Sequence, residues 1–151
     1  MAEHSFHLQA TWPGLRNDVG EISMKNLQTQ VSIPKEMDGP EIGTNPDEML
    51  LGAAATCYII TLAAIMQRSQ LDKHNLTMTA EGIVDVTNGV ITYKKIIHRP
   101  IITLKETATE KDINLAHKLA AKAEKSCMIS RALQGNVEIQ LLETVTRSQE
   151  R

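Results

Sequence analysis

The stretch Asn45–Met66, NPDEMLLGAAATCYIITLAAIM, decides how the chain is read. Asn45 suits an N-cap, because its side-chain oxygen can accept a backbone N–H of the first turn. Pro46 suits the first helical position, where a missing N–H costs nothing. Asp47 and Glu48 then fall in the first turn, where the helix dipole favours negative charge, and Glu48 stands at capping-box spacing from Asn45. The spacing predicts a helix running to about Ser69. Met49–Met66 carries no charge and reaches the length of a membrane span. It is only weakly hydrophobic, however, with Gly52, Thr56, Tyr58, Thr61 and five alanines, and it lacks aromatic belts. The expectation is a helix buried on nearly all sides in a soluble domain or dimer, with no membrane partner.

Around this helix the elements follow from periodicity and turn chemistry. Phe6, Leu8 and Ala10 alternate with polar residues in a strand over His4–Thr11 that Trp12-Pro13-Gly14 breaks. Leu15–Gly20 reads as a loop carrying Arg16, Glu21–Leu27 and Gln30–Ile33 as strands, and Pro34–Asn45 as a loop. After the helix, Asn75–Thr87 and Val90–Leu104 are rich in β-branched residues, and Asn88-Gly89 between them is a strong hairpin signal. Thr109, with Asp112 three residues on, opens a second helix whose apolar face holds Ile113, Ala116, Ala120, Ala123 and Cys127. Gly135 ends a last short helical stretch, Val137–Val145 makes a final strand, and a polar tail frays from Thr146. This order predicts one α+β domain over residues 1–151 with antiparallel pairing.

Composition excludes several functions. The 151 residues are 42% hydrophobic and 23% charged, ordinary for a soluble globular chain. Sixteen basic residues against eighteen acidic ones give a formal charge of -2, leaving no basic field for nucleic acid. Aromatic residues, at 3%, are too few for base-stacking platforms. No phosphate-cradling glycine loop, HExxH or CxxC occurs, and the five histidines show no ligand spacing, so neither a cofactor nor a metal is expected. The lysines of the second helix, interspersed with Glu110 and Glu124, read as a solvated face. The N-terminus lacks the pattern of a signal peptide, which makes the cytoplasm the expected compartment.

The chemistry then rests on Cys57 and Cys127. A cysteine among alanines is an inert small hydrophobe in many cores. Yet each helix carries its one cysteine on a face of small or apolar residues, so two packed helices could bring the sulfurs together. Arg16 adds a permanent cation in a Pro/Gly-bracketed loop.

Gly43-Thr44-Asn45-Pro46-Asp47-Glu48-Met49-Leu50 with Ala53-Ala54-Ala55-Thr56-Cys57 resembles the first signature of the OsmC/Ohr family, GTNPEEL…AA..AC. Ala123-Glu124-Lys125-Ser126-Cys127-Met128-Ile129-Ser130 resembles the second, A-E-x-x-C-P-V-S, and Gly14-Leu15-Arg16 resembles the GGR that carries the family's arginine. The resemblance implies antiparallel sheets wrapped around two central helices in an intertwined homodimer. It implies a thiol peroxidase that reduces organic hydroperoxides in oxidative-stress defence and is reset by an external dithiol reductant. Cys57 would be the peroxidatic thiol and Cys127 the resolving one. Arg16 would hold the thiolate, with Asp47 or Glu48 orienting it. The chain departs from the pattern in having Asp47 ten residues before Cys57, where the family has glutamate, and Met128 in place of the proline.

Physical chemistry constrains these roles. Only a thiolate attacks a peroxide, and apolar burial would raise the thiol pKa. The start of the first helix lies about 16 Å from Cys57, too far for its dipole to act, which makes Arg16 the candidate partner. Asp47 and Glu48 lie about 14–15 Å along the helix from the sulfur, so either must act through Arg16, across a dimer, or through an irregular helix. Leu50, Ile60, Met66 and Met128 would form apolar surroundings favouring bulky hydroperoxides over hydrogen peroxide. Two other readings stay open: a redox sensor or binding protein with slow turnover, and a structural domain with inert cysteines.

Overall fold

The computed structural model describes residues 1–149. The chain divides into two compact units, Met1–Met49 and Leu50–Arg151. In the first, β1 (Leu8–Thr11), β2 (Gly20–Met24) and β3 (Gln28–Val31) form an antiparallel sheet in that order. Met24 N–H donates to the Leu27 carbonyl across the β2–β3 turn, at 2.8 Å. A short 3-10 turn follows at Lys35–Met37. The chain then returns to β3, where Thr44 N–H bonds the Gln30 carbonyl and Ser32 N–H bonds the Thr44 carbonyl. The Ser32 hydroxyl both donates to the Ile42 carbonyl and accepts from the Ile42 N–H, each at 2.8 Å. Gly43 allows this return: its φ is +72°, and a Cβ there would run into the Gln30 carbonyl.

The predicted cap is present on α1 (Pro46–Arg68). Asn45 Oδ1 accepts from Glu48 N–H at 2.9 Å, and the Asn45 carbonyl takes the first helical bond, from Met49. The Glu48 carboxylate does not complete a capping box. It accepts from the Thr44 hydroxyl at 2.7 Å instead.

The second unit holds the rest of α1, β4 (Lys73–Thr87), β5 (Val90–Leu104), α2 (Glu110–Ser126), α3 (Met128–Leu133), β6 (Glu138–Leu141) and β7 (Thr144–Arg147). β4 and β5 form a long antiparallel hairpin. Asn88 and Gly89 at its tip both have positive φ, 51° and 75°, as the tight hairpin turn requires. Thr109 and Asp112 make a complete capping box at the start of α2.

Three expectations need correction. The single final strand is two, β6 and β7, and both pair with β5 in parallel. The chain reaches them through α2 and α3, and such a crossover allows parallel pairing where a tight turn does not. The tail is not frayed from Thr146: that residue and Arg147 lie in β7, and buried Ser148 donates its N–H to the Leu104 carbonyl at 2.8 Å. Third, of the two settings expected to bury α1 on nearly all sides, a soluble domain or a dimer, the single domain does not supply that burial. Its length and composition would allow it to cross a bilayer. Ala54, Tyr58, Leu62, Ile65 and Met66 make one buried stripe, whereas Gly52, Ala53, Thr56 and Ile60 are exposed.

Tyr58, Leu62, Ile65 and Met66 of that stripe share a core with Ala116, Leu119, Ala120 and Ala123 of α2 and Ile102 and Leu104 of β5, and Ala54 clusters with Ile96 and Val137. Tyr58 Oη spans from α1 to α2, donating to the Ala120 carbonyl at 3.0 Å. Burial, reinforced by Glu143 and Glu124, pushes the Tyr58 hydroxyl well above its usual range and keeps it a neutral donor. The His98 ring, fully buried on β5, stacks on Tyr58 with centroids 4.9 Å apart and planes at 17°. Neither of its ring nitrogens has a hydrogen-bond partner, and burial lowers its pKa from 6.5.

Two predictions follow from this core. Tyr58→Phe should destabilise the protein by about 1 kcal/mol, the usual net worth of a hydrogen bond, as read from urea unfolding. For His98, the unfolded chain binds a proton at higher pH than the folded one, so stability should be full above pH 6.5 and fall as the pH drops from there. The slope stays below about 1.4 kcal/mol per pH unit, the limit for a single proton. His98→Phe keeps the ring stack and should flatten that slope, a difference visible in urea unfolding at neutral and mildly acid pH.

Candidate active site

Cys57 lies near the middle of α1, half-buried, next to the core residue Tyr58. Cys127 is fully buried and occupies the join between α2 and α3. Its N–H bonds the Ala123 carbonyl and ends α2, and its carbonyl accepts from Arg131 N–H and begins α3. Its φ of -58° and ψ of 127° turn the chain between the two helices. Both cysteines are free thiols.

The two thiols act on each other's ionisation. Burial opposes ionisation of Cys57. Against it act the Cys127 thiol, the backbone N–H groups of Ile129 and Met128, and the Thr61 hydroxyl, and together they hold Cys57 below its ordinary pKa. Cys127 moves the other way, raised by its own burial and then by its bond to Cys57, with a donor from the Ser130 backbone only partly offsetting them. The pair is therefore asymmetric, with an acidic, reachable thiol against a buried one that keeps its proton. Such a pair has the chemistry to attack an electrophile and then close a disulfide.

Sequence reasoning named both thiols and, for the charge, set aside the distant start of α1 in favour of Arg16; it did not consider neutral donors. The structure supplies neutral donors from α3 and from Thr61, which is four residues after Cys57 and so on the same helix face. That spacing was legible; the aim of the α3 amides was not.

Arg16 lies in the first unit. Its guanidinium donates to the Met37 carbonyl at 2.7 Å, to Asn17 Oδ1 at 2.7 Å and to the Asp38 carbonyl at 3.4 Å. Asp47 and Glu48 open α1, with the Glu48 carboxylate on the Thr44 hydroxyl. Of the apolar surroundings expected at the site, Ile60 and Met128 are exposed and Leu50 is half-buried. Met66 lies in the core instead, because it continues the stripe of Tyr58 and Leu62. Among the described residues, no group of three or more His, Cys, Asp or Glu side chains is arranged to hold a metal ion.

Comparison with known proteins bears on the family and the fold. The chain is 70% identical over 141 residues to the uncharacterized protein YmaD of Bacillus subtilis (strain 168), covering 93% of this chain and 94% of that one. Among solved structures it resembles an organic hydroperoxide resistance protein OsmC from Legionella pneumophila, with a TM-score of 0.78 at 24% identity, over 96% of this chain and 100% of that one. It also resembles the organic hydroperoxide resistance protein OhrB of Bacillus subtilis, with a TM-score of 0.68 at 18% identity, over 93% and 98% of the two chains. At these identities the solved structures establish a shared fold. Residues 38–142, which include both cysteines, match the OsmC-like protein family, and the chain belongs to that family.

Proposed function

We propose that the protein is a cysteine-based, thiol-dependent peroxidase that reduces organic hydroperoxides to alcohols. The observation that carries this reading is a pair of free thiols, half-buried Cys57 on α1 and buried Cys127 at the α2–α3 join, with opposite acidities, Cys57 lowered and Cys127 raised. The Cys57 thiolate attacks the outer peroxide oxygen, the O–O bond breaks, and the alkoxide takes up a proton and leaves as the alcohol. Cys57 is then a sulfenic acid. Cys127 condenses with it, releasing water and forming a disulfide before further oxidation can occur. An external dithiol returns two electrons by exchange and restores both thiols.

Arg16 serves as the cation that holds the thiolate and the incoming peroxide, with Asp47 or Glu48 orienting it. The exposed stripe of α1, with Ile60 at 68% exposure, supports an intertwined homodimer in which a second copy covers it. The exposed Ile60 and Met128 side chains favour an alkyl or fatty-acid group on the hydroperoxide. The reading places the enzyme in the cytoplasm, in oxidative-stress defence.

Steady-state consumption of cumene hydroperoxide with excess dithiothreitol tests this function. Wild type should turn over, with cumene hydroperoxide preferred to hydrogen peroxide. Cys57→Ser should lose more than about 99% of the rate, since it removes the nucleophile. Cys127→Ser should start and then stall as Cys57 over-oxidises, visible by mass spectrometry as sulfinic and sulfonic acid. A wild type that forms one disulfide without turnover would overturn the enzyme reading in favour of a redox sensor. Analytical ultracentrifugation should give a species of twice the 16.7 kDa chain mass; a stable monomer would remove the dimer.

A further inference from the structure

The lysines of α2, Lys111, Lys118, Lys122 and Lys125, alternate with acidic residues in sequence but not in space. Successive helical residues point about 100° apart, so steps of seven, four and three return to nearly the same direction. The lysines therefore fall within an arc of about 60°, along about 21 Å of helix. All of them are exposed. Glu110, Asp112 and Glu124 each adjoin a lysine in the chain and so point about 100° away from it.

This face is left electrically unbalanced. The residues three and four places from these lysines, which share their side of the helix, include no aspartate or glutamate. They include lysines instead. Lys118 and Lys122 are four apart and Lys122 and Lys125 three apart, spacings at which like charges repel. The acidic side chains of the first turn are engaged elsewhere: Asp112 accepts from Thr109 N–H at 2.9 Å, and Glu110 accepts from Arg147 at 2.9 Å. Among the described residues, ion pairs involve Lys94, Lys95, Arg99, His117 and Arg147, and none of the α2 lysines. The repulsion works against the helix, so folding does not account for the arrangement.

We propose that the lysine face of α2 is a peripheral docking surface for anionic lipid headgroups. Ammonium groups on one side of one helix can meet a plane together, and each lysine near an anionic bilayer adds its own attraction. Lysine is a hydrated point charge, suited to such a surface rather than to reading one planar acid group. The choice of a lipid surface rests on the peroxidase reading: hydroperoxides with alkyl or fatty-acid groups leave water for membranes, and docking holds the enzyme where they gather. The contact is peripheral rather than a span, and it revises the expectation of no membrane partner.

The experiment is co-sedimentation of the full chain with vesicles, of phosphatidylcholine alone or of equal parts phosphatidylcholine and phosphatidylglycerol, at low salt. Wild type should bind the anionic vesicles and not the neutral ones. About 0.5 M sodium chloride should release it, since screening then leaves a reach of a few ångströms. A triple variant, Lys118→Gln, Lys122→Gln and Lys125→Gln, should lower the partition coefficient about a hundredfold, or about fivefold per lysine. A second triple variant, Lys25→Gln, Lys35→Gln and Lys73→Gln, removes the same charge from exposed positions outside α2 and should keep most of the binding. Glutamine matches lysine in helix propensity, so α2 should persist. Wild type that ignores anionic vesicles, or equal losses in the two variants, would overturn the proposal. So would binding to double-stranded DNA at the same salt with none to vesicles. If the α2 variant does not fold, amide NMR of wild type with short-chain phosphatidylglycerol decides: shifts should follow residues 111–125, and shifts confined elsewhere would refute the surface. Turnover of cumene hydroperoxide is read separately. Docking without turnover leaves this surface standing, and turnover without docking leaves the peroxidase reading standing.

Discussion

One residue joins two helices, and the arrangement of the site depends on it. Cys127 closes α2 through its N–H and opens α3 through its carbonyl. It does so with an extended ψ of 127° rather than a helical one. That single turn leaves the amides of Met128, Ile129 and Ser130 without a carbonyl partner in the helix, and donors from this segment help to lower the Cys57 pKa. Had α2 continued straight through residue 127, those amides would have been consumed by carbonyls four residues earlier. A helix break thus converts backbone groups that would be silent into an electrostatic environment for a sulfur.

The break holds its place because the core beneath it is rigid. The alanines at 116, 120 and 123 make room on α2 for the larger side chains of α1, and the Tyr58 hydroxyl ties the carbonyl of residue 120 to α1. Tyr58 directly follows Cys57 in sequence, so the bond that fixes the helix pair also fixes the height of the reactive sulfur. His98 extends the same stack from β5, at the cost of two unpartnered ring nitrogens. A neutral aromatic ring is compatible with that position, and a charged one is not.

The parts legible in the sequence were those set by local chemistry. Asn45 and Pro46 start α1, Asn88-Gly89 turns the hairpin, and Thr109 with Asp112 caps α2, each through groups within a few residues of one another. What stayed hidden was set by distant partners. Parallel pairing of β6 and β7 depends on where α2 and α3 deliver the chain against β5, which no local pattern encodes. The ordered end at Ser148 depends on a carbonyl of residue 104. At the site, residue types identified both thiols. Their environment escaped the reading because backbone amides are the same at every position and only the fold aims them.

The asymmetry of the pair has a thermodynamic consequence beyond nucleophilicity. Donors that stabilise the Cys57 thiolate stabilise the reduced protein, and a disulfide formed from such a pair loses that stabilisation. The same groups that make Cys57 quick to attack therefore make the disulfide easier to reduce. For a two-electron couple, a tenfold change in equilibrium constant is about 30 mV, so even one amide bond to the thiolate moves the potential measurably. In the proposed peroxidase cycle the raised Cys127 would hold its proton while Cys57 reacts and give it up as water leaves the sulfenic acid. In that cycle fast oxidation and ready reduction would not be separate adaptations of the site. Both follow from aiming neutral donors at one sulfur and burying the other.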